Sequence, residues 1–333
     1  MGDVAMIAPV LKALVSQYAD IEILMLSRPF FKPIFQDISG VKFISADIDK
    51  QYKGLVGLYR LFKELKKYKI DYVVDLHDVL RTKFLRNLFK INAYKVGKIN
   101  KGRNEKKALI RTNNKVFIPL KNTHQRYADV FELFNLPIDL KKNFTTEKKQ
   151  VSKEVGLFLQ LFKGQKLLGI APFAQHEGKQ YPIDKIKQVI QNILSKKENI
   201  SILLFGGGMK EKQLLETLVL NKNKVFNLAG IFSLSQELEI ISRLNLMLSM
   251  DSANAHLAAI KNIPVITIWG ATHPYAGFAA FGQNEKNNIL PDLKKFPQLP
   301  TSIYGNKVFA NFENVWKTIP PEKVVEKILN NIL

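Results

Sequence analysis

The residues of this chain that promise chemistry sit where apolar runs end. Asp251-Ser252-Ala253-Asn254-Ala255-His256 follows the run Leu244 to Met250 and opens a helical pattern. Small side chains there let the backbone approach a diphosphate, the first amides of a helix favour anions, and Asp251 can hold hydroxyls. Asp and Ser are also the ordinary residues of a helix cap, so the letters alone fit both readings equally. In the loop Ala171 to Pro182, Lys179 offers a point charge for a phosphate, although a solvent-facing lysine is the commoner use of that residue type. Gly206-Gly207-Gly208 leads through Met209 and Lys210 to Glu211 without the spacing of a dinucleotide site or the ending of a P-loop. Glu211 therefore either reaches a ribose hydroxyl or lies on a bland turn.

The amino-terminal half offers carboxylates. Asp3, beside Gly2 at a helix start, suits a cap or a general base. Asp75-Leu76-His77-Asp78 ends a strand pattern and precedes a basic helix with Arg81, Lys83 and Arg86, which suits an anionic acceptor. Asp47-Ile48-Asp49 matches the minimal triplet of metal-dependent sugar transferases but falls in an expected turn. No metal site is assigned, because His124 and His273 lack ligand spacing with other His or acid residues.

Elements must place these residues. From Leu167 onward five short apolar runs, 167–172, 200–205, 225–228, 244–250 and 265–269, alternate with helical patterns at 183–194, 210–220, 235–243 and 253–260. That order predicts a parallel sheet covered on both faces, with ligand sites at the strands' carboxyl ends. The first half repeats the rhythm, with strands expected at 21–26, 41–45, 72–76, 94–96 and 116–119. A helix is expected with one apolar stripe of Leu55, Leu58, Tyr59, Phe62 and Leu65. The polar segment 139–153 reads as a linker, giving domains 1–150 and 151–333, the second closed by a terminal helix from Pro321. The chain passes from Met1-Gly2-Asp3 straight into a helical stripe, so the first strand of a doubly wound domain is expected to be missing, with roughly ten more residues upstream.

Composition bounds the rest. With 46% hydrophobic and 24% charged residues the chain reads as folded throughout, and the absence of cysteine removes disulfides and thiolate chemistry. No apolar run reaches the roughly 18 residues of a membrane span, and the opening lacks the pattern of a secretion signal; the cytoplasm is the expected compartment. The net charge of +21 is uneven: residues 1–150 hold 29 Lys/Arg against 15 Asp/Glu, and Val79 to Arg126 holds fourteen basic residues and one acid. Either an anionic partner or a solvated basic face accounts for this.

Together these motifs resemble glycosyltransferase family nine, the ADP-heptose:lipopolysaccharide heptosyltransferases. The resemblance runs through Met1-Gly2-Asp3-Val4 with Pro9, Asp71 to His77 with Arg81, His124 with Arg126-Tyr127, Ala171-Pro172 through Lys179 to Pro182, Asn227 to Gly230 with Ser233-Leu234, and Asp251-Ser252 through His256 to Ala259. It implies an α/β fold of two Rossmann-like doubly wound domains facing a cleft, the GT-B type, with acceptor bound by the first and nucleotide sugar by the second. It further implies inverting, metal-independent transfer of heptose or a related sugar from an ADP-sugar, with that donor as a substrate and no cofactor. Asp3 would be the general base. Lys179, Glu211, Asp251, Ser252, Ala253, Asn254 and His256 would bind donor, while Arg81 and Arg126 would contact an anionic lipopolysaccharide core acceptor at the inner face of the cytoplasmic membrane. The sequence departs from the family in Ala253 and Asp78, where glycine is usual. Two other readings remain: a nucleotide-sugar epimerase of similar architecture, and a non-catalytic nucleic-acid-binding protein. No nucleic acid is expected, since clustered aromatics and a basic recognition helix are lacking.

Overall fold

The computed structural model describes residues 1–141 and 149–332. In chain order its elements are α1 (Gly2–Gln17), β1 (Ile23–Ser27), α2 (Lys32–Phe35), β2 (Val41–Ser45), α3 (Gly54–Leu65), β3 (Tyr72–Asp75), α4 (Leu80–Ile91), β4 (Lys95–Lys98), α5 (Arg103–Leu109) and α6 (Thr123–Glu132). There follow α7 (Lys153–Gln160), β5 (Lys166–Ala171), α8 (Ile183–Lys196), β6 (Ile200–Leu204), α9 (Gly208–Glu216), β7 (Val225–Asn227), α10 (Leu234–Ile241), β8 (Leu246–Met250), α11 (Ala253–Ile260), β9 (Val265–Ile268), β10 (Asn288–Ile289) and α12 (Pro321–Ile332). They pack as two α/β units, residues 3–101 with 123–141 and residues 102–122 with 149–332.

The second unit holds one parallel sheet in the order β10-β9-β8-β5-β6-β7. Its central strands are continuous Val/Ile/Leu runs because both faces are covered: β6, β8 and β9 are buried along their whole length. One face meets Ile186, Val189, Ile190 and Ile193 of α8 and Val324, Val325 and Ile328 of α12. Gly169 lies within β5, where an added Cβ would sit 2.6 Å from Leu244 Cδ1 and 2.9 Å from Met247 Sδ, so those side-chain ends pack directly on its backbone.

The first unit differs from the expected continuous sheet. Its strands form two separate parallel pairs, β1-β2 and β3-β4, and no described strand joins β1 to β3. The expected strand at 116–119 is not formed: the Val116 amide donates to the Ala108 carbonyl, and Lys115 Nζ donates to the carbonyls of Pro297, Gln298 and Leu299 at 3.2, 2.7 and 2.9 Å. These bonds draw the segment to the second unit, where Leu109 packs with Ala276 and Ile303. The expectation of an unbroken 1–150 domain thus differs from the observed grouping in residues 102–122. Of the expected linker 139–153, residues 142–148 lie outside the described residues, and Lys153 already opens α7. In α3 the buried stripe is Leu58, Leu61, Phe62 and Leu65, while Leu55 and Tyr59 are 64% and 46% exposed. With 3.6 residues per turn the core face centres on Leu65, which leaves Leu55 and Tyr59 on its flank.

Candidate functional site

Within the second unit the chain runs β5 to β6 to β7 outward, then returns to lay β8 on the other side of β5. The boundary between β5 and β8 is a topological switch point, where two loops diverge from adjacent strand ends and leave room for a ligand. Lys179 lies in the loop after β5, and Asp251 directly follows β8. Their side chains meet: Lys179 Nζ is 2.8 Å from Asp251 Oδ2, and both are largely buried. Thr272, in the loop after β9, donates its hydroxyl to the same Oδ2 at 2.8 Å.

Backbone contacts fix this convergence. The Ala271 amide donates to the Gly178 carbonyl at 2.7 Å, tying the loop after β9 to the residue before Lys179. An added Cβ on Gly178 would lie 2.6 Å from the Gly305 carbonyl oxygen, and one on Gly270 would strike the Gly178 carbonyl. Gly305, at φ 81°, leaves the space through which the Lys179 stem passes. On the other side of Lys179, the buried Tyr181 hydroxyl donates to the Ile319 carbonyl at 2.6 Å.

Asp251 does not cap α11, because its carboxylate is engaged by Lys179 and Thr272. Ser252 occupies the N-cap position without a side-chain cap bond, its hydroxyl lying 3.2 Å from that of Ser249. The first-turn amides of α11, at Ala253, Asn254 and Ala255, have no intrahelical acceptors. Ala253 and Asn254 are partly exposed, and Lys179 stands on the neighbouring loop. Such a helix start beside a lysine fits a diphosphate. His256 is buried on α11, and burial, reinforced by the Lys179 charge, pushes its pKa down to about 4, so it is a neutral imidazole at pH 7.

Glu211 sits at the adjacent strand end, after β6. Its Oε2 accepts the Gly207 amide at 2.7 Å, so one carboxylate oxygen braces the glycine turn and the other remains for a ligand. Sequence reasoning missed Thr272, although its position just beyond a buried strand marks it by the same rule that marks Asp251.

In the first unit, Asp3 Oδ2 lies 3.9 Å from His77 Nε2, both side chains more than half exposed. The sequence treated these residues separately. Burial lowers the His77 pKa; Asp3 opposes this, whereas Lys101 and Arg81 add to it. The Asp3 carbonyl accepts the Tyr127 hydroxyl at 3.4 Å, anchoring the first turn of α1 to α6. Asp75 and Asp78 serve the loop itself: Asp75 Oδ1 accepts the amides of His77 and Asp78, and Arg86 Nη1 bridges Asp75 at 2.7 Å and Asp78 at 3.1 Å. Asp78 has φ 45°, a left-handed conformation that favours glycine. Arg81 is exposed at the start of α4, whereas Arg126 is buried in α6 and donates to the Asn100 carbonyl at 3.3 Å. Asp47 caps its own turn by accepting the amides of Asp49 and Lys50, and Asp49 pairs with Arg28. Among the described residues no group of three His, Asp or Glu is arranged to hold a metal ion.

Two α/β units, one with a parallel sheet and a ligand-suited switch point, make up an architecture of the GT-B type. The family model described as glycosyltransferase family 9 (heptosyltransferase) matches residues 58–304, and the chain belongs to that family. It is 26% identical over 312 residues to lipopolysaccharide heptosyltransferase 1 of Campylobacter coli, covering 89% of this chain and 87% of that protein. Among solved structures, the family 9 glycosyltransferase of Veillonella parvula superposes with a TM-score of 0.75 at 17% identity over 100% of this chain and 94% of that one. The E. coli heptosyltransferase WaaC with ADP gives 0.68 at 16% identity, covering 99% and 97%.

Proposed function

We propose that this heptosyltransferase-family protein moves a heptose, or a related sugar, from an ADP-sugar to an anionic lipopolysaccharide core acceptor with inversion at the anomeric carbon. The observation that carries the reading is the Lys179–Asp251–Thr272 cluster beside the start of α11. An acceptor hydroxyl oxygen bonds to the anomeric carbon as the bond from that carbon to the diphosphate oxygen breaks. The hydroxyl proton passes to the Asp3 carboxylate, which faces solvent and has the neutral His77 ring beside it. Negative charge grows on the departing ADP, and Lys179 with the amides of Ser252 to Asn254 meets it as fixed donors, a role that calls for no divalent ion. Asp251 holds sugar hydroxyls through its second oxygen, Glu211 a ribose hydroxyl, and neutral His256 supports the loop. Exposed Arg81 supplies positive charge for the acceptor, whereas Arg126, buried against the Asn100 carbonyl, braces α6. The naming of the Campylobacter coli relative as a lipopolysaccharide heptosyltransferase, and the ADP bound in the E. coli structure, support the same donor and acceptor classes.

The test is ADP release from ADP-heptose with a deacylated inner-core acceptor. Asp3→Asn is expected to lower turnover by about 10²–10⁴-fold, the usual contribution of a general base, with donor binding kept. Full activity in that variant removes Asp3 from its role. Sugar-nucleotide turnover without acceptor points to the epimerase reading instead.

A further inference from the structure

The face of α3 turned away from the core is not an ordinary polar surface. Leu55 and Val56 are 64% and 76% exposed in its first turn, and Tyr59 follows one turn later at 46%. Further along the same face lie Arg60 and Lys63, both exposed; Lys67, also exposed, lies in the turn just after the helix, and Lys53 precedes it. Spacings of 56, 59, 60 and 63 keep these residues on one side of a helix with 3.6 residues per turn. Lys63 Nζ stands 4.9 Å from the Tyr59 ring centroid, so the ring and the cation share one patch. Glu64 is the single acid between residues 53 and 69, and its Oε2 is taken by the Tyr52 hydroxyl at 2.5 Å. The packed neighbour α4 contains no acid at all and begins with Leu80, 85% exposed, beside Arg81.

An exposed aliphatic tip, an aromatic ring with a polar end and a run of cations without acids is the chemistry of a helix lying on an anionic bilayer. A protein partner of ordinary surface composition would leave these cations facing mixed charges. The position is also informative. The carboxyl end of α3 leads into β3, so its first turn lies towards the opposite end of that strand, the end that carries His77 and the start of α4.

We propose that the exposed face of α3 and the turn after it, with Leu55 and Val56 inserted and Arg60, Lys63 and Lys67 on the headgroups, dock this protein on an anionic lipid membrane. Docking there brings the Asp3–His77 end of the first unit to the bilayer surface, where a lipid-linked acceptor presents its sugars. That purpose rests on the proposed transfer reaction; the docking itself does not.

The test is flotation of the full chain with vesicles of phosphatidylethanolamine and 30% phosphatidylglycerol, against pure phosphatidylcholine. The wild-type protein is expected to float with the anionic vesicles only, and less as salt rises. Each neutralised cation is expected to weaken partitioning about five-fold, so Arg60→Gln, Lys63→Gln and Lys67→Gln together weaken it about a hundred-fold. Leu55→Ser with Val56→Ser is expected to weaken it at least ten-fold with the charges intact. Both variants should keep wild-type thermal unfolding and wild-type ADP release with the deacylated acceptor. Equal flotation with neutral vesicles, or anionic binding unchanged in both variants, overturns the proposal. So does a dimer in sedimentation that the Ser substitutions dissociate without any vesicle binding, which makes the face a contact between copies. Loss of the transfer reaction in every assay, with flotation and its mutational pattern intact, overturns the proposed function and leaves the docking surface standing.

Discussion

Replacing Lys179 with Met separates the structural from the ligand-binding role of the switch-point cluster. The Met stem still fills the space left by Gly305, but Asp251, 5% exposed, keeps only the Thr272 hydroxyl. Removing one member of a buried ion pair costs about 3–5 kcal/mol, because the other charge stays desolvated. Lys179 retains 16% side-chain exposure, which admits water, so the low end of about 3 kcal/mol is expected. In a unit of this size about 1 kcal/mol shifts Tm by about 2–4 °C, so the second unit should melt about 6–12 °C lower. Adding Asp251→Asn removes the stranded carboxylate, and the double variant should recover most of that loss, a coupling of about 2–3 kcal/mol in the cycle. ADP affinity must not recover with it. A lysine–phosphate bond contributes about 1.5–3 kcal/mol, so Kd for ADP should rise about 10–100-fold in the single variant and stay raised in the double. Thermal unfolding with and without ADP, joined to titration calorimetry, reads both quantities. Wild-type ADP affinity in the stable double variant would refute the assignment of Lys179 to the donor phosphates.

Thr272→Val keeps the shape and deletes the hydroxyl on Asp251 Oδ2, so a stability loss of about 1 kcal/mol is expected, checked by urea unfolding. Arg86→Met takes the cation from the buried Asp75 carboxylate and should cost about 3 kcal/mol in the first unit. Asp78→Gly alone suits φ 45° and relieves the left-handed backbone of a side chain, so its own cost should be smaller than that of Arg86→Met; thermal melts decide, and an equal loss would discard this account of the loop. Acid should weaken the second unit through His256 and His273. Burial lowers both to about 4, with Lys179 and Lys115 respectively adding to the effect, against 6.5 when unfolded. Their neutral forms give stability that is complete above pH 6.5 and is lost as pH falls towards 4, because the unfolded chain takes up the protons first. Each group contributes up to about 3 kcal/mol to that fall. His273→Gln should flatten the slope of stability between pH 6.5 and 4, measured by denaturant unfolding across that range.

The two halves were not equally legible in the sequence, and the reason is physical. β5, β6, β8 and β9 are covered on both faces, so their unbroken apolar runs announce them, and α11 was bounded to the residue because it fills the gap between two such runs. In the first unit β1 and β2 have no fully buried residue, and the pairs β1-β2 and β3-β4 stand apart, a grouping that no local pattern encodes. The segment 102–122 was misassigned because its place depends on Lys115 reaching the carbonyls of residues 297–299. Tying a half-buried lysine to three carbonyls leaves no periodic trace, and a lone lysine in a basic stretch reads as solvent-facing.

The same limit governs the candidate site. Residue types and strand ends marked Lys179, Asp251 and Asp3 as separate possibilities, each with a blander use. What changes their weight is partnership: Asp251 is held by Lys179 and Thr272 instead of capping α11, and Asp3 stands beside His77. Thr272 had no distinguishing neighbour in the sequence, and it became visible only because the Gly178 carbonyl accepts the Ala271 amide and carries one loop onto the other. A carboxylate spent on a cap would leave Lys179 to the solvent. A carboxylate spent on Lys179 fixes the cation at the helix start, so removing that carboxylate should loosen the lysine, and donor affinity should fall even though a negative charge has been taken away.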